Sequence, residues 1–145
     1  MTKYVLEMYR QMFVNLKRGN YRGVYSNAKP IFLISLIDYI IFMEGNKLKW
    51  EDKKFEELYY GNFGKLESSK PTPICKPYYF MTSENFYSII WREQPEAKSL
   101  ISPSCKTLRD FSLYAVIDDE LWEILQNKDN RAYLRASIMQ TYFIK

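Results

Sequence analysis

The chain has 145 residues, with 21 basic and 17 acidic side chains and therefore a formal net charge of +4. A hydrophobic content of 47% excludes a disordered polyelectrolyte, and the length predicts a single domain over residues 1–145. The absence of histidine excludes the Ser-His-Asp triad, the Cys-His dyad and the His-ligated zinc site from this chain.

The cysteine content and the hydropathy of the sequence indicate in which cellular compartment the protein is expected. Cys75 and Cys105 are too few for a disulfide framework or a four-cysteine zinc site, and we interpret them as free thiols in a reducing cytoplasm. The longest apolar stretch, 30–43, is shorter than the roughly 20 residues of a membrane-spanning helix. The first 13 residues lack the apolar segment of a signal peptide. We therefore expect a soluble, cytoplasmic protein with no membrane partner.

The first half of the chain is predicted to be mainly helical. Apolar residues recur at spacings of three and four over 3–16, which predicts an amphipathic helix. Residues 17–27 show no periodicity and predict a long, exposed basic loop. The apolar run 31–44, with Pro30 as its first helical residue, predicts a buried central helix. Two short elements follow: a strand over 47–50 and a helix over 51–60 that is ended by Gly61 and Gly64.

Two aromatic runs in the second half predict a sheet. Residues 78–82 and 86–91 flank a three-residue segment, which is typical of a β-hairpin. The other predicted elements are a helix over 105–111 capped by Ser104, a strand over 114–117, a helix from Asp118-Asp119 to 125, and a helix over 130–143 capped by Asp129. We predict an α+β fold, mainly helical with a small antiparallel sheet and a winged-helix-like order of elements.

Positive charge is concentrated in two blocks of the sequence. Residues 1–50 contain eight basic and three acidic side chains, and residues 65–109 contain seven and four. If these blocks meet in the fold, they form a basic face that the net charge of +4 understates.

The loop over 17–27 is the first candidate binding site. It contains Lys17, Arg18 and Arg22, and Arg10 and Lys29 flank it. Arginine forms bidentate bonds with phosphate, and neighbouring tyrosines can stack or donate hydrogen bonds. The alternative interpretation is an ordinary solvated loop.

The second candidate is the segment from Lys76 to Phe80, in which Pro77 precedes three aromatic residues. Strand alternation would place Tyr78 and Phe80 on one face. The functional interpretation is an apolar concavity beside cations, and the alternative is packing in the core.

No catalytic pattern is present among the carboxylates and thiols. The Asp118-Asp119-Glu120 run fits a helix N-terminus. The nuclease pattern of Pro-Asp followed by Glu-x-Lys is missing, and neither cysteine has a histidine to activate it. We therefore predict a basic binding module with no enzymatic activity, no metal and no cofactor.

A family resemblance extends over nearly the whole chain. The segments that carry it are Arg18-Gly19, Arg22-Gly23, Asn27 to Asp38, Lys76 to Met81, Phe86 to Trp91, Leu108-Arg109, Tyr114-Ala115, Asp118 to Leu125 and Met139 to Phe143. Their order resembles the sulfur-binding domain of McrA-like type IV restriction endonucleases, bacterial phage-defence enzymes in which this domain usually precedes an HNH nuclease. Lys76 stands where the family usually has tyrosine.

The resemblance implies a partner and a binding site. The partner is double-stranded DNA with a phosphorothioate in its backbone, and the chain would act alone or with a nuclease domain or subunit. The sulfur would lie in an apolar cavity built from proline and aromatic residues and flanked by cations. The residues implied for this site are Arg10, Lys17, Arg18, Arg22, Lys29, Lys76, Pro77, Tyr78 and Phe80. The residues alone also allow a winged-helix-like DNA-binding regulator without sulfur selectivity, or a protein–protein adaptor.

Overall fold

The computed structural model describes residues 2–144. Over this range the chain forms seven α-helices: α1 (Thr2–Val14), α2 (Ala28–Tyr39), α3 (Lys53–Leu66), α4 (Cys75–Phe80), α5 (Cys105–Phe111), α6 (Asp119–Leu125) and α7 (Lys128–Tyr142). The strands are β1 (Asn20–Tyr21), β2 (Val24–Tyr25), β3 (Lys47–Lys49), β4 (Tyr87–Trp91) and β5 (Ser112–Ile117). Strands β1 and β2 form a hairpin, and the others form an antiparallel sheet in the order β3-β5-β4. The predicted α+β class is confirmed.

Helix α2 is the centre of the core, as its largely apolar sequence predicts. All of its residues except Asp38 are buried, and it packs against α3, α4 and α7. Pro30 is its third residue rather than its first. This position is tolerated because the backbone N–H groups of the first helical turn have no acceptor within the helix.

Helix α3 continues through both glycines that were predicted to end it. Asp52 caps the helix by accepting a hydrogen bond from the backbone N–H of Phe55 at 3.0 Å. Tyr59 and Phe63 pack into the core on either side of Gly61. Their burial outweighs the helix-propensity cost of each glycine, about 1 kcal/mol. The predicted end at Gly61 is therefore wrong.

The predicted β-hairpin over 78–91 is also wrong in its first strand. Residues Cys75–Phe80 form α4, a 3₁₀ turn over Met81–Ser83 follows, and β4 pairs with β5 instead. Pro77 is the third residue of α4, where it removes no helical hydrogen bond. The aromatic side chains that suggested a strand serve core packing: the buried Tyr87 donates a hydrogen bond to the carbonyl of Tyr78 at 2.6 Å.

The basic segment 17–27 is exposed as predicted but contains the short β1–β2 hairpin. Arg22 and Gly23 form its turn with positive φ angles of 53° and 84°, the conformation of a type I′ turn. The Asn20 side-chain oxygen accepts a hydrogen bond from the Gly23 N–H at 2.9 Å. Glycine carries no Cβ penalty in this conformation.

Two helix starts differ from the sequence prediction. Asp118 precedes α6, but its carboxylate accepts a hydrogen bond from the Tyr9 hydroxyl at 2.8 Å instead of capping the helix. Asn127, and not Asp129, caps α7 by accepting from the N–H of Asn130. Ser104 caps α5 as predicted, accepting from the N–H of Thr107.

Both cysteines are free thiols, as expected. Burial and, to a smaller extent, a hydrogen bond with Cys105 raise the pKa of Cys75 to about 11. The Cys75 thiolate is therefore scarce at neutral pH. Among the described residues, no helix combines the length and the apolar character needed to cross a membrane.

A glycine substitution tests the continuation of α3. The Cβ of an alanine at Gly61 would meet no atom within 4 Å, so Gly61→Ala is expected to raise the free energy of unfolding by about 0.5–1 kcal/mol in urea titrations. Gly23→Ala is the control: its position also has room, but its φ of +84° makes alanine destabilising. Destabilisation by Gly61→Ala would show that the helix ends where the sequence predicted.

Candidate nucleic-acid interface

A cavity of about 320 Å³ lies where the segment after α1, the start of α2 and α4 meet. We call it the proline cavity. Its lining residues are Lys17, Arg18, Gly19, Ser26, Ala28, Lys29, Thr72, Lys76, Pro77 and Phe80. Two distant positive segments of the sequence therefore meet at one site.

Helix α4 supplies the apolar wall of the proline cavity. Pro77 and Phe80 are three residues apart, which places them on the same face of a helix. Pro77 is buried, and Phe80 is 38% exposed. Strand alternation had paired Phe80 with Tyr78 instead. Because the segment is helical, Tyr78 does not line the cavity, and that prediction of a cavity wall is wrong.

Tyr78 belongs to the core. Its side chain is 1% exposed, and its hydroxyl donates a hydrogen bond to the carbonyl of Leu48 at 3.1 Å. Burial raises the pKa of Tyr78 well above its ordinary value. The hydroxyl is thus already satisfied and remains protonated.

Three cations at the rim of the cavity form no ion pair with any described residue: Lys17, Arg18 and Lys76. The Lys76 ammonium donates to the Ser102 hydroxyl at 2.7 Å. The Lys17 ammonium lies 3.5 Å from the carbonyl of Ser83. These neutral partners leave the positive charges available to an anion.

Arg18 is held in a fixed orientation. Its guanidinium carbon lies 4.9 Å from the ring centre of Tyr25 and 4.7 Å from that of Tyr142. One guanidinium nitrogen donates to the side-chain oxygen of Asn27 at 2.8 Å. Two stacked rings and one hydrogen bond reduce the rotamer entropy that Arg18 would lose on binding a phosphate.

Tyr142 is a positioning residue that the site prediction did not include. Its hydroxyl donates to the carbonyl of Phe13 at 2.8 Å and accepts from the N–H of Leu16 at 3.0 Å. Burial raises the pKa of Tyr142, and the nearby Arg18 lowers it in part. Its only signal in the sequence was its place in the closing segment of the family resemblance.

Lys29 lines the cavity, but its charge is compensated. It is 8% exposed, and its ammonium lies 3.0 Å from the Glu84 carboxylate and donates to the Ser83 hydroxyl at 2.7 Å. The same carboxylate oxygen accepts the backbone N–H of Lys17 at 3.0 Å. Lys29 and Glu84 therefore fix α2, the segment after α1 and the segment after α4 relative to one another.

The two remaining predicted residues lie outside the lining of the proline cavity. Arg22 is at the tip of the β1–β2 hairpin and lines an adjoining cleft of about 850 Å³. Arg10 is a residue of α1, and its guanidinium donates to the Ser137 hydroxyl of α7 at 3.2 Å. The structure thus brings together six of the nine predicted residues.

The chain has the same fold as a protein domain whose structure was solved in complex with DNA. The structure described as the sulfur binding domain of ScoMcrA complexed with phosphorothioated DNA superposes with a TM-score of 0.71. The match covers 93% of this chain and 87% of that chain, at 11% sequence identity. No family model and no curated protein matches the sequence. The likeness shows the fold that the sequence resemblance predicted.

The buried ion pair generates a stability prediction. Glu84→Ala is expected to lower the free energy of unfolding by about 3–5 kcal/mol, because it leaves the Lys29 ammonium buried without a counter-charge. The double variant Lys29→Met with Glu84→Leu removes both charges and should recover the part of that loss that comes from the unpaired ammonium, while the Lys17 N–H lacks its acceptor in both variants. Urea unfolding of the three proteins measures both effects. A double variant that is as unstable as Glu84→Ala, or less stable, would mean that Glu84 stabilises the fold mainly through contacts other than Lys29.

Proposed function

We propose that the chain is a recognition module for duplex DNA that carries a phosphorothioate, with the sulfur held in the proline cavity. The observation that carries the proposal is an apolar wall, Pro77 and Phe80, beside three cations that have no carboxylate partner within residues 2–144. We further propose that the chain is one domain without catalysis of its own. A nuclease domain or subunit would supply cleavage in a bacterial restriction system of the phage-defence type.

The cations account for affinity toward any DNA backbone. Both a phosphate and a phosphorothioate carry one negative charge, and Lys17, Arg18 and Lys76 surround the cavity from two chain segments. Arginine and lysine contacts to backbone oxygens position a protein on DNA but do not read its chemistry. Charge alone therefore does not distinguish the two backbones.

The apolar wall accounts for selectivity. Sulfur is larger, softer and less strongly hydrated than oxygen, so its contact with Pro77 and Phe80 costs less desolvation. A phosphate oxygen in the same place loses water without gaining a hydrogen-bond donor, a penalty of about 1–3 kcal/mol. Contact of ~50 Å² of apolar surface adds about 1–1.5 kcal/mol for sulfur. The two effects together favour the modified backbone by roughly thirtyfold or more.

The shared fold supports the same function. The solved domain of this fold was determined with phosphorothioated DNA bound, and the cavity described here uses residues that the family resemblance assigned to the sulfur site. A general DNA-binding protein of the same fold would show the cations without a sulfur preference. An adaptor protein would show neither.

A substitution at Pro77 tests the sulfur site. Pro77→Glu is expected to bring the dissociation constants for modified and unmodified duplexes of one sequence to similar values, since a charged group replaces the apolar contact. Glutamate suits the first turn of a helix, so α4 should be retained. Pro77→Ala keeps the site apolar and should lose less selectivity.

The matched control for that experiment is Pro71→Glu, which adds the same charge at an exposed residue outside the lining of the cavity. It should weaken binding to both duplexes by a small, equal factor. If Pro77→Glu keeps the sulfur preference of the parent protein, the sulfur binds elsewhere. If the parent protein itself binds modified and unmodified duplexes equally, the proposed sulfur recognition is wrong and only general DNA binding remains.

Salt dependence tests the role of the cations. With about four phosphate contacts, log K should fall against log salt with a slope of about −3 to −4. Arg18→Ala is expected to flatten the slope by about one contact and to cost ~1–3 kcal/mol of binding free energy. Lys53→Ala, at an exposed lysine outside both cavities, should leave the slope unchanged. A parent slope near zero would contradict DNA binding.

A further inference from the structure

The β1–β2 hairpin has a well-defined backbone although it is exposed. Its strands pair antiparallel, Asn20 with Tyr25 and Tyr21 with Val24. The N–H of Ser26 donates to the carbonyl of Gly19 at 2.8 Å and closes the base of the hairpin. A two-residue type I′ turn matches the natural twist of paired strands, so the tip is fixed as well.

The two faces of the hairpin have different roles. Residues that pair across antiparallel strands share a face, and successive residues alternate. One face carries Tyr25, whose ring stacks on Arg18 and so ties the hairpin to the proline cavity. The other face carries Tyr21 and Val24, each 72% exposed. The core makes no use of these two apolar side chains.

Arg22 adds a cation at the tip. Its guanidinium carbon lies 5.2 Å from the ring centre of Tyr21, and it forms no ion pair among the described residues. A stacked guanidinium is pre-oriented, with its donor edge free for a planar acceptor pair. Arginine accepts a positive φ of 53° here, an uncommon conformation for a residue with a side chain.

The hairpin and the proline cavity adjoin. The cleft of about 850 Å³ along the hairpin shares Gly19, Ser26 and Thr72 with the cavity. The hairpin is therefore within reach of a duplex that has one phosphate in the cavity. The major groove of B-form DNA admits a two-stranded β-ribbon, and an arginine fork there binds the O6 and N7 atoms of guanine.

We propose that the hairpin enters the major groove next to the modified phosphate and that Arg22 selects a guanine there. Tyr21 and Val24 contact apolar base edges, of which the thymine methyl group is the main example. This inference rests on the proposed function and deepens it. The cavity selects the backbone chemistry, and the hairpin selects the sequence around it.

The test is the affinity for a set of phosphorothioate duplexes in which the base pairs flanking the modification are varied. Arg22→Asn removes the guanidinium and creates the Asn-Gly pair that type I′ turns prefer, so the hairpin is kept. Arg22→Lys keeps the charge and removes the fork. Tyr21→Ala is compared with Tyr4→Ala, a change at another exposed tyrosine on α1.

The parent protein is expected to prefer guanine at one flanking position by about fivefold to a hundredfold. Both Arg22 variants should level that preference while the ratio of affinities for sulfur and oxygen backbones stays unchanged. Tyr21→Ala should weaken binding, and Tyr4→Ala should not.

Two results overturn the inference alone: a guanine preference retained by Arg22→Asn, or a parent protein that distinguishes sulfur but no sequence. A parent protein that distinguishes neither sulfur nor oxygen overturns the proposed function instead.

Discussion

The carboxylate of Glu84 is the interaction on which the candidate site depends. One oxygen bonds the Lys29 ammonium on α2 and the backbone N–H of Lys17 after α1, both at 3.0 Å. Glu84 itself follows the 3₁₀ turn after α4. A single buried acceptor therefore fixes three chain segments, and the space between them is the proline cavity. A buried charge of this kind is retained only with its partners, so the three segments stay together.

This arrangement separates two kinds of cation that the sequence does not distinguish. Lys29 has a counter-charge and stabilises the fold, whereas Lys17, Arg18 and Lys76 have neutral partners and are the cations proposed to bind a ligand. The distinction has an energetic reason. A cation that is already paired gives little to an incoming anion, because the gain is offset by the repulsion between the anion and the existing carboxylate.

The sequence predicted those parts of the molecule in which local signals agree with the tertiary structure. The apolar run of α2, the cap at Ser104 and the strand β5 are such cases. The prediction from sequence failed where a residue type that favours one local conformation is present for its packing in the core. The aromatic residues of α4 favour a strand by residue type, but in the structure they pack as part of a helix. Gly61 is typical of a helix end, but buried residues on both sides of it stabilise the continuation of α3.

The same limit applies to the site. Four of the predicted cations and Pro77 do line the cavity, since their chemistry is visible residue by residue. The sequence did not identify Tyr142 or Glu84, because each acts on a residue far away in the chain: Tyr142 stacks on Arg18, and Glu84 pairs with Lys29. Such partners are defined by the fold, and without an alignment of related chains no local pattern marks them.

The helical conformation of α4, which the sequence did not predict, also determines the geometry on which the proposed selectivity rests. In a strand, Tyr78 and Phe80 would have lined the cavity, and the tyrosine hydroxyl would have offered a hydrogen bond to a phosphate oxygen. In the helix, Pro77 and Phe80 share the face that lines the cavity, while the Tyr78 hydroxyl is directed to Leu48. The wall is therefore free of side-chain donors, and Pro77 has no backbone N–H to offer. A surface of this kind penalises oxygen more than sulfur, so the helical conformation of one short segment underlies both the stability of the core and the chemistry proposed for the cavity.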